Sequence, residues 1–310
     1  MFQTGRPMIM SEDVPGVSVI MRTKNADWVV EETLKGLFSQ KYNNFELLVV
    51  DSGSTDNTLD IVKKYPARIM EIEPKAYFPG TVLNQAIEQT SGEIVVFLNS
   101  DAVPQNPYAL TRLIAAFDKL DVQAAFARQT PRPEANAWVK RDYARSFPEE
   151  GPAPPWITLS LPMAAMRRSI WEKRPFYTAA WASEDTEWGH WAQAEGHVIK
   201  YVPDALVMHS HNYTLRQTYG RRFVEGEADV FIYGGRATFC KMLSQWLRVV
   251  VQDSIWCLRK GAFNEIPAIP LRRLVYSWAY RAGHKLGEER KKKDEKDASR
   301  GQEVVLARHE

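Results

Sequence analysis

A chain of 310 residues with 45% hydrophobic and 25% charged content has the composition of an ordinary globular protein, long enough for one large domain with an appendage or for two domains. A formal net charge of +2 is too small to argue for nucleic acid as a partner. Two cysteines, Cys240 and Cys257, exclude a disulfide framework and a cysteine-based zinc site. No apolar leader and no run of about 18 apolar residues is present, so the cytoplasm is the expected location.

Residues 1–15 read as an N-terminal extension. "VSVIMRT" (17–23) predicts a strand, and "DWVVEETLKGLFSQ" (27–40) a helix with Val29, Val30, Leu34, Leu37 and Phe38 at helical spacing. "FELLVVD" (45–51) is a second strand, and "STDNTLDIVKKY" (54–65) opens with capping residues before another amphipathic turn. After "ARIMEIE", the stretch "GTVLNQAIEQTSG" (80–92) reads as a helix ended by Gly92. "IVVFL" (94–98) is short and rich in β-branched residues, which predicts a buried strand. This alternation implies an α/β fold with a doubly wound, mostly parallel sheet. From about 128 to 182 the pattern becomes irregular, and "RQTPRPEANAW" and "EEGPAPPW" have the proline content of loops or lids over a substrate. "HVIKYVPDALVM" predicts another strand, and beyond 214 the chain turns helical. "EERKKKDEKDASRGQE" (288–303) is a mixed-charge, solvated tail.

Three strand ends carry the polar residues. Thr23 and Asn25 follow the first strand, Asp51 and Ser52 the second, and Asn99, Ser100 and Asp101 follow "IVVFL". In open α/β sheets ligands bind at that edge. There Asp51 would accept from a nucleobase N–H, or else shape the "DSGSTD" turn. Asp101 would hold a metal beside a diphosphate, or else cap the following helix. His209 and His211 in "HSHNY" project to one side and reach toward the same edge, with His211 either a ligand or a hydrogen-bonded neighbour. Glu184 and Asp185 in "SEDTEW" read either as a catalytic pair or as partners of a helix dipole. Trp181 and Trp188 beside them would stack on an acceptor sugar or fill the core.

"VSVIMRTKN", "ELLVVDSGSTDNT", "LNQAIEQTSGEIVVFLNSDAVP" and "SEDTEW" stand in the order and spacing of inverting GT-A glycosyltransferases of family 2, which the chain resembles over about residues 16–285. "ARQTPRPEA", "MRRSIWEKRPF" and "YVPDALVMHSHNYTLRQTYGRRF" look more narrowly like bacterial rhamnosyltransferases of polysaccharide and lipopolysaccharide assembly. The resemblance implies a Rossmann-like GT-A domain with a C-terminal helical extension. It implies a nucleotide-sugar donor, dTDP-rhamnose or else a UDP- or GDP-hexose, and a glycan or lipid-linked acceptor. It further implies Mg²⁺ or Mn²⁺ at Asp101 with His209 and His211, Asp185 as the base, and Glu184 orienting it or holding an acceptor hydroxyl. By the same resemblance Asn84, Arg221 and Arg222 contact the donor, the two arginines covering its diphosphate. Asn99 replaces the first aspartate of the family's Asp-x-Asp signature, which motivates a second expectation, a nucleotide-sugar-binding protein impaired in catalysis.

The expected division is a catalytic domain over 16–237, with a nucleotide-binding half (16–127) and an acceptor and catalytic half (128–237). Amphipathic helices over 238–287 and a charged tail over 288–310 follow. "LRRLVYSWAYRAGHKL" sets Leu271, Leu274, Val275 and Trp278 on one face among Arg272, Arg273, Arg281 and Lys285, and "MLSQWLRVVVQDSIW" adds Trp246 and Trp256. Such faces suit the inner surface of a membrane, the catalytic domain itself or a homodimer.

Overall fold

The structure is a computed structural model describing residues 16–178, 182–235 and 237–293. Strands β1 (Val17–Thr23), β2 (Phe45–Asp51), β3 (Arg68–Glu71) and β4 (Ile94–Asn99) alternate with helices α1 (Val30–Phe38), α2 (Thr58–Val62) and α3 (Pro79–Glu88). These four strands run parallel in the order β3-β2-β1-β4. Thr23 lies beside Asp51, and Arg22 lies between Val50 and Asn99. The loops after β1, β2 and β4 therefore emerge at one carboxyl edge.

The sheet continues through β5 (Val103–Pro104), β6 (Val122–Thr130), β7 (Met163–Arg167) and β8 (Val198–Met208), giving the eight-stranded order β3-β2-β1-β4-β7-β6-β8-β5. β6 and β8 are parallel to each other, whereas β7 is antiparallel to both of its neighbours and β5 is antiparallel to β8. The segment expected to be irregular thus contains the end of β6, all of β7, and the helices α5 (Ala137–Ser146) and α6 (Arg168–Lys173). "MAAMR" gives no β-branched signal. It forms a strand because Ala164 fits between Phe97 of β4 and Phe126 of β6, where a larger side chain would crowd two aromatic rings.

Side chains alternate across the sheet. Val17, Val19 and Met21 face the helices α1 and α4 (Ala109–Ile114), whereas Ile20, Leu48 and Phe97 face α3, Trp171 and Trp188. Both faces are buried, as a largely parallel sheet requires.

Helix α7 (Glu184–Ala194) precedes β8, and α8 (Leu215–Ile232), α9 (Phe239–Arg259) and α10 (Ile269–Lys293) follow it. A capping box of Thr214 and Gln217 starts α8. Where α8 crosses α10 the backbones touch, since a Cβ at Gly226 would strike the Tyr280 carbonyl and one at Gly283 the Phe223 carbonyl. α9 is held by ions: the buried Asp253 accepts from Arg141 of α5 and Arg273 of α10, each at 2.6 Å. Among the described residues no helix is long and apolar enough to cross a membrane.

Candidate active site

At the carboxyl edge the first two loops are stitched together. Asn25 adopts a left-handed conformation (φ 46°), its amide donates to Ser54 Oγ at 2.9 Å, and its Oδ1 accepts from the Thr55 amide at 2.8 Å. Asp51 accepts from the Gly53 and Ser54 amides at 2.9 and 2.8 Å and from the Ser54 hydroxyl, so it shapes its own turn. Ser52 Oγ donates to the Thr23 carbonyl at 3.3 Å. The Thr23 hydroxyl is buried and has no partner among the described residues. Beneath the third loop, the Ser100 carbonyl accepts from Thr33 Oγ1 at 2.8 Å and the Ser100 amide donates to the Arg22 carbonyl.

Asp101 meets both histidines. His211 Nε2 stands 3.0 Å from one carboxylate oxygen and His209 Nε2 stands 3.7 Å from the other. One donor atom from each of the three residues lies within 4.8 Å of the others, close enough for one cation to bind all three. The His209 amide donates to the Thr130 carbonyl, which pins this segment to the end of β6. Gln129 donates to Ser160 Oγ at 2.7 Å, and its Oε1 accepts from His209 Nδ1 at 2.8 Å. The Nδ1 proton leaves the Nε2 lone pair aimed at Asp101. Burial, opposed by the Asp101 charge, pushes His209 down to about 4, so the ring is neutral at physiological pH. Burial alone would raise Asp101, but His209 and His211 outweigh it and hold the carboxyl below the ordinary carboxylate range.

Two cations flank this cluster. Arg132 Nη2 donates to the Asp101 carbonyl at 2.9 Å, and its guanidinium lies 4.9 Å over the exposed ring of Trp28. Arg221 donates to Tyr213 Oη at 2.6 Å and to Glu225 at 2.8 Å, while Tyr213 stacks on His211 at 4.9 Å.

At the start of α7 two adjacent carboxylates have different surroundings. Glu184 accepts from Arg22 Nη1 at 2.6 Å, which couples it to the end of β1. Among the described residues, Asp185 accepts from the amides of Thr186 at 2.7 Å and Leu161 at 3.4 Å and from the Thr186 hydroxyl at 3.4 Å. Burial and then the Glu184 charge push Asp185 up to about 6, against those amides and Arg22.

Several expected contacts fall elsewhere. Asn84 is consumed within the fold: its Nδ2 donates to the Phe176 carbonyl, and its Oδ1 accepts from the Trp171 indole and the Phe176 amide. Three of its four hydrogen-bonding positions are spent on the Trp171 and Phe176 contacts, so it ties α3 to that segment. Trp188 is 0% exposed in the core, with its indole donating to the Arg174 carbonyl, and offers no face to an acceptor. Trp181 lies outside the described residues. Arg222 is engaged by Glu225 and by the rings of Tyr276 and Tyr280 on α10. Sequence reasoning in turn missed Arg22, Gln129 and Arg132. All three stand within motifs already marked, "RTKN" and "ARQTPRPEA", but no periodicity separates a polar residue that faces a site from one that faces water.

The Glycosyl transferase family 2 model matches residues 18–182, more than half of the chain. The chain belongs to this family. This family 2 glycosyltransferase is 28% identical over 292 residues to the O-antigen chain rhamnosyltransferase WbaN of Salmonella anatum, covering 89% of this chain and 90% of that protein. It is 26% identical over 289 residues to RfbN, the O-antigen chain rhamnosyltransferase of Salmonella typhimurium, covering 88% and 89%. Among solved structures, the mannosyltransferase PcManGT of Pyrobaculum calidifontis in complex with GDP-Man and Mn²⁺ is similar at a TM-score of 0.58 and 20% identity, covering 88% and 87%. Staphylococcus aureus TarS (1–349) follows at 0.51 and 20%, covering 88% and 91%. The GT-A fold is the expected one.

Proposed function

We propose that this glycosyltransferase moves rhamnose from dTDP-rhamnose to a hydroxyl of a glycan or lipid-linked acceptor, with inversion at the anomeric carbon. The observation that carries the reading is the unequal carboxylate pair at the start of α7. Glu184 is buried and ion-paired with Arg22, and Asp185 is partly buried with a pKa raised to about 6, the setting of a general base near neutral pH. Rhamnose takes its support from the two Salmonella relatives, each matched over nearly its whole length.

In this mechanism Asp185 removes the proton from the acceptor hydroxyl. That oxygen bonds to the anomeric carbon from the face opposite the nucleotide, and the bond from the anomeric carbon to the phosphate oxygen breaks with its electron pair on the diphosphate. Arg22 holds Glu184 aside and tempers the charge beside Asp185. Arg132 and Arg221 supply positive charge toward the leaving group. Thr23, Asn25, Asp51, Ser52, Asn99 and Ser100 frame the nucleotide pocket within the 16–127 half, and the base stands in the 128–237 half.

Asp101, His209 and His211 fit a divalent cation, which when bound would neutralise charge gathering on the diphosphate. Two imidazole nitrogens beside one carboxylate suit Mn²⁺ better than Mg²⁺, which prefers an all-oxygen shell.

A thermal-shift panel of nucleotide sugars with each metal tests the donor. The largest rise is expected for dTDP-rhamnose with Mn²⁺. A larger rise with GDP-mannose or a UDP-hexose would transfer the assignment to the second reading, a hexose donor of that type, which draws on the GDP-Man and Mn²⁺ of the Pyrobaculum relative.

A further inference from the structure

From Phe239 to Gly287 the chain carries eight lysines and arginines and only two carboxylates, Asp253 and Glu265. Both carboxylates serve the interior. Asp253 is fully buried between Arg141 and Arg273, and both oxygens of Glu265 accept the Ala137 amide at 2.9–3.0 Å.

The outer side of α9 is apolar. Phe239, Leu243, Leu247, Val251 and Ile255 follow one another at four-residue steps and are all exposed, while Met242, Asp253 and Cys257 face inward. At 100° per residue, the exposed Lys241, Arg248 and Arg259 fall together along one margin of that stripe. The apolar surface crosses to α10, where Leu271, Leu274 and Trp278 are exposed. Between the helices opens a groove of about 400 Å³ lined by Tyr219, Phe239, Met242, Leu243, Leu274 and Trp278, among others. Arg281 stands over Phe239 beside it.

Charge selects the occupant of this face. A second copy docked antiparallel, stripe against stripe, would bring two rows of cations together, and in either orientation α9 has no exposed carboxylate to answer them. A bilayer bearing anionic headgroups supplies both the apolar layer and the counter-charge, and Trp278 is the residue type that settles at such a boundary. We propose that α9 lies in the plane of an anionic bilayer, with its stripe and the Leu271–Leu274–Trp278 strip among the upper acyl chains and Lys241, Arg248 and Arg259 at the phosphates. The proposal rests on helix surfaces alone and is independent of the donor and of Asp185.

Full-length protein is sedimented with phosphatidylglycerol-containing vesicles and with neutral phosphatidylcholine vesicles, at low and high salt. The intact chain is expected to pellet with the anionic vesicles, less so at high salt. Leu247→Glu with Val251→Glu, both at exposed positions, should lower the partition by roughly tenfold or more. Lys241→Glu with Arg248→Glu and Arg259→Glu should remove the preference for anionic lipid even if the first variant folds poorly. Failure of the intact chain to pellet, or pelleting unchanged in both variants, overturns the proposal. So does a dimer seen by light scattering without lipid and broken by Leu247→Glu with Val251→Glu, which would assign the face to a second copy.

Discussion

Asp185 and Glu184 are neighbours in sequence, yet one carries an ion pair and the other does not, and the chemistry assigned to them depends on that difference. Asp185→Asn keeps the shape of the site but cannot accept a proton, so kcat should fall by roughly 10²- to 10⁴-fold while the donor dissociation constant stays within a few fold. Single-turnover kinetics beside calorimetric donor titration separates the two. Because only the ionised carboxylate is a base and Asp185 of the unliganded chain is raised to about 6, log kcat/KM should drop with unit slope as pH falls below that value. Arg22 opposes this rise, so Arg22→Met, which leaves the Glu184 charge unanswered, should move the acid limb to higher pH; a limb that stays in place would remove Asp185 as its source. The "SED" motif exposed these carboxylates to sequence reasoning through the family pattern. It could not show their environments, because Arg22 arrives from a strand 162 positions away. The same blindness explains Trp188 and Asn84: a tryptophan or an amide looks identical in sequence whether it faces a sugar or the core.

The segment after β8 shows what an element contributes beyond its residue types. Extended backbone sets His209 and His211 on one side, the bond from the His209 amide to the Thr130 carbonyl anchors them, and Gln129 fixes the His209 tautomer. Gln129→Leu keeps the size of the side chain but frees that ring, so Mn²⁺ affinity should weaken by roughly 10- to 100-fold, measured by titration of the metal into the full-length protein. Chelation should abolish nucleotide release from donor and acceptor, with Mn²⁺ restoring it better than Mg²⁺. Full activity in the chelated sample would leave the diphosphate to Arg132 and Arg221. β1, β2 and β4 were legible because each is an apolar run buried on both sides, whereas β3, with one β-branched residue and exposed ends, gave no such signal; Asp101 with the histidines followed from their strand-end positions. β7 was not legible: an alanine strand has no hydrophobic period, and its identity comes from the two phenylalanines that need a small neighbour. Asn99 in place of an aspartate motivated the reading of an impaired binder, but a site with two imidazoles within reach of Asp101 does not depend on a second carboxylate.

At the scale of the whole molecule, the C-terminal helices bear on the catalytic body through two kinds of contact. α8, whose first turns carry Arg221, presses its backbone on α10 at Gly226 and Gly283, and Asp253 joins α5, α9 and α10 through two arginines. Gly226→Ala would drive a methyl into the Tyr280 carbonyl, forcing α8 away from α10. Asp253→Ala leaves Arg141 and Arg273, each less than a tenth exposed, partly unpaired in the interior, a change that typically costs about 3–5 kcal/mol. These contacts make 238–287 more than an appendage to a 16–237 domain. A chain ending at 237 would lose the partner of α8 and expose the glycine face of that helix, and Arg141 would lose its buried counter-ion. We therefore expect that truncated protein to melt non-cooperatively and to bind donor weakly, even with every proposed donor and metal ligand present. Calorimetry of the 1–237 chain against the full-length protein checks this. A sharp, reversible transition with donor affinity intact would show instead that the helices are a separable attachment, and that Arg221 is positioned without them.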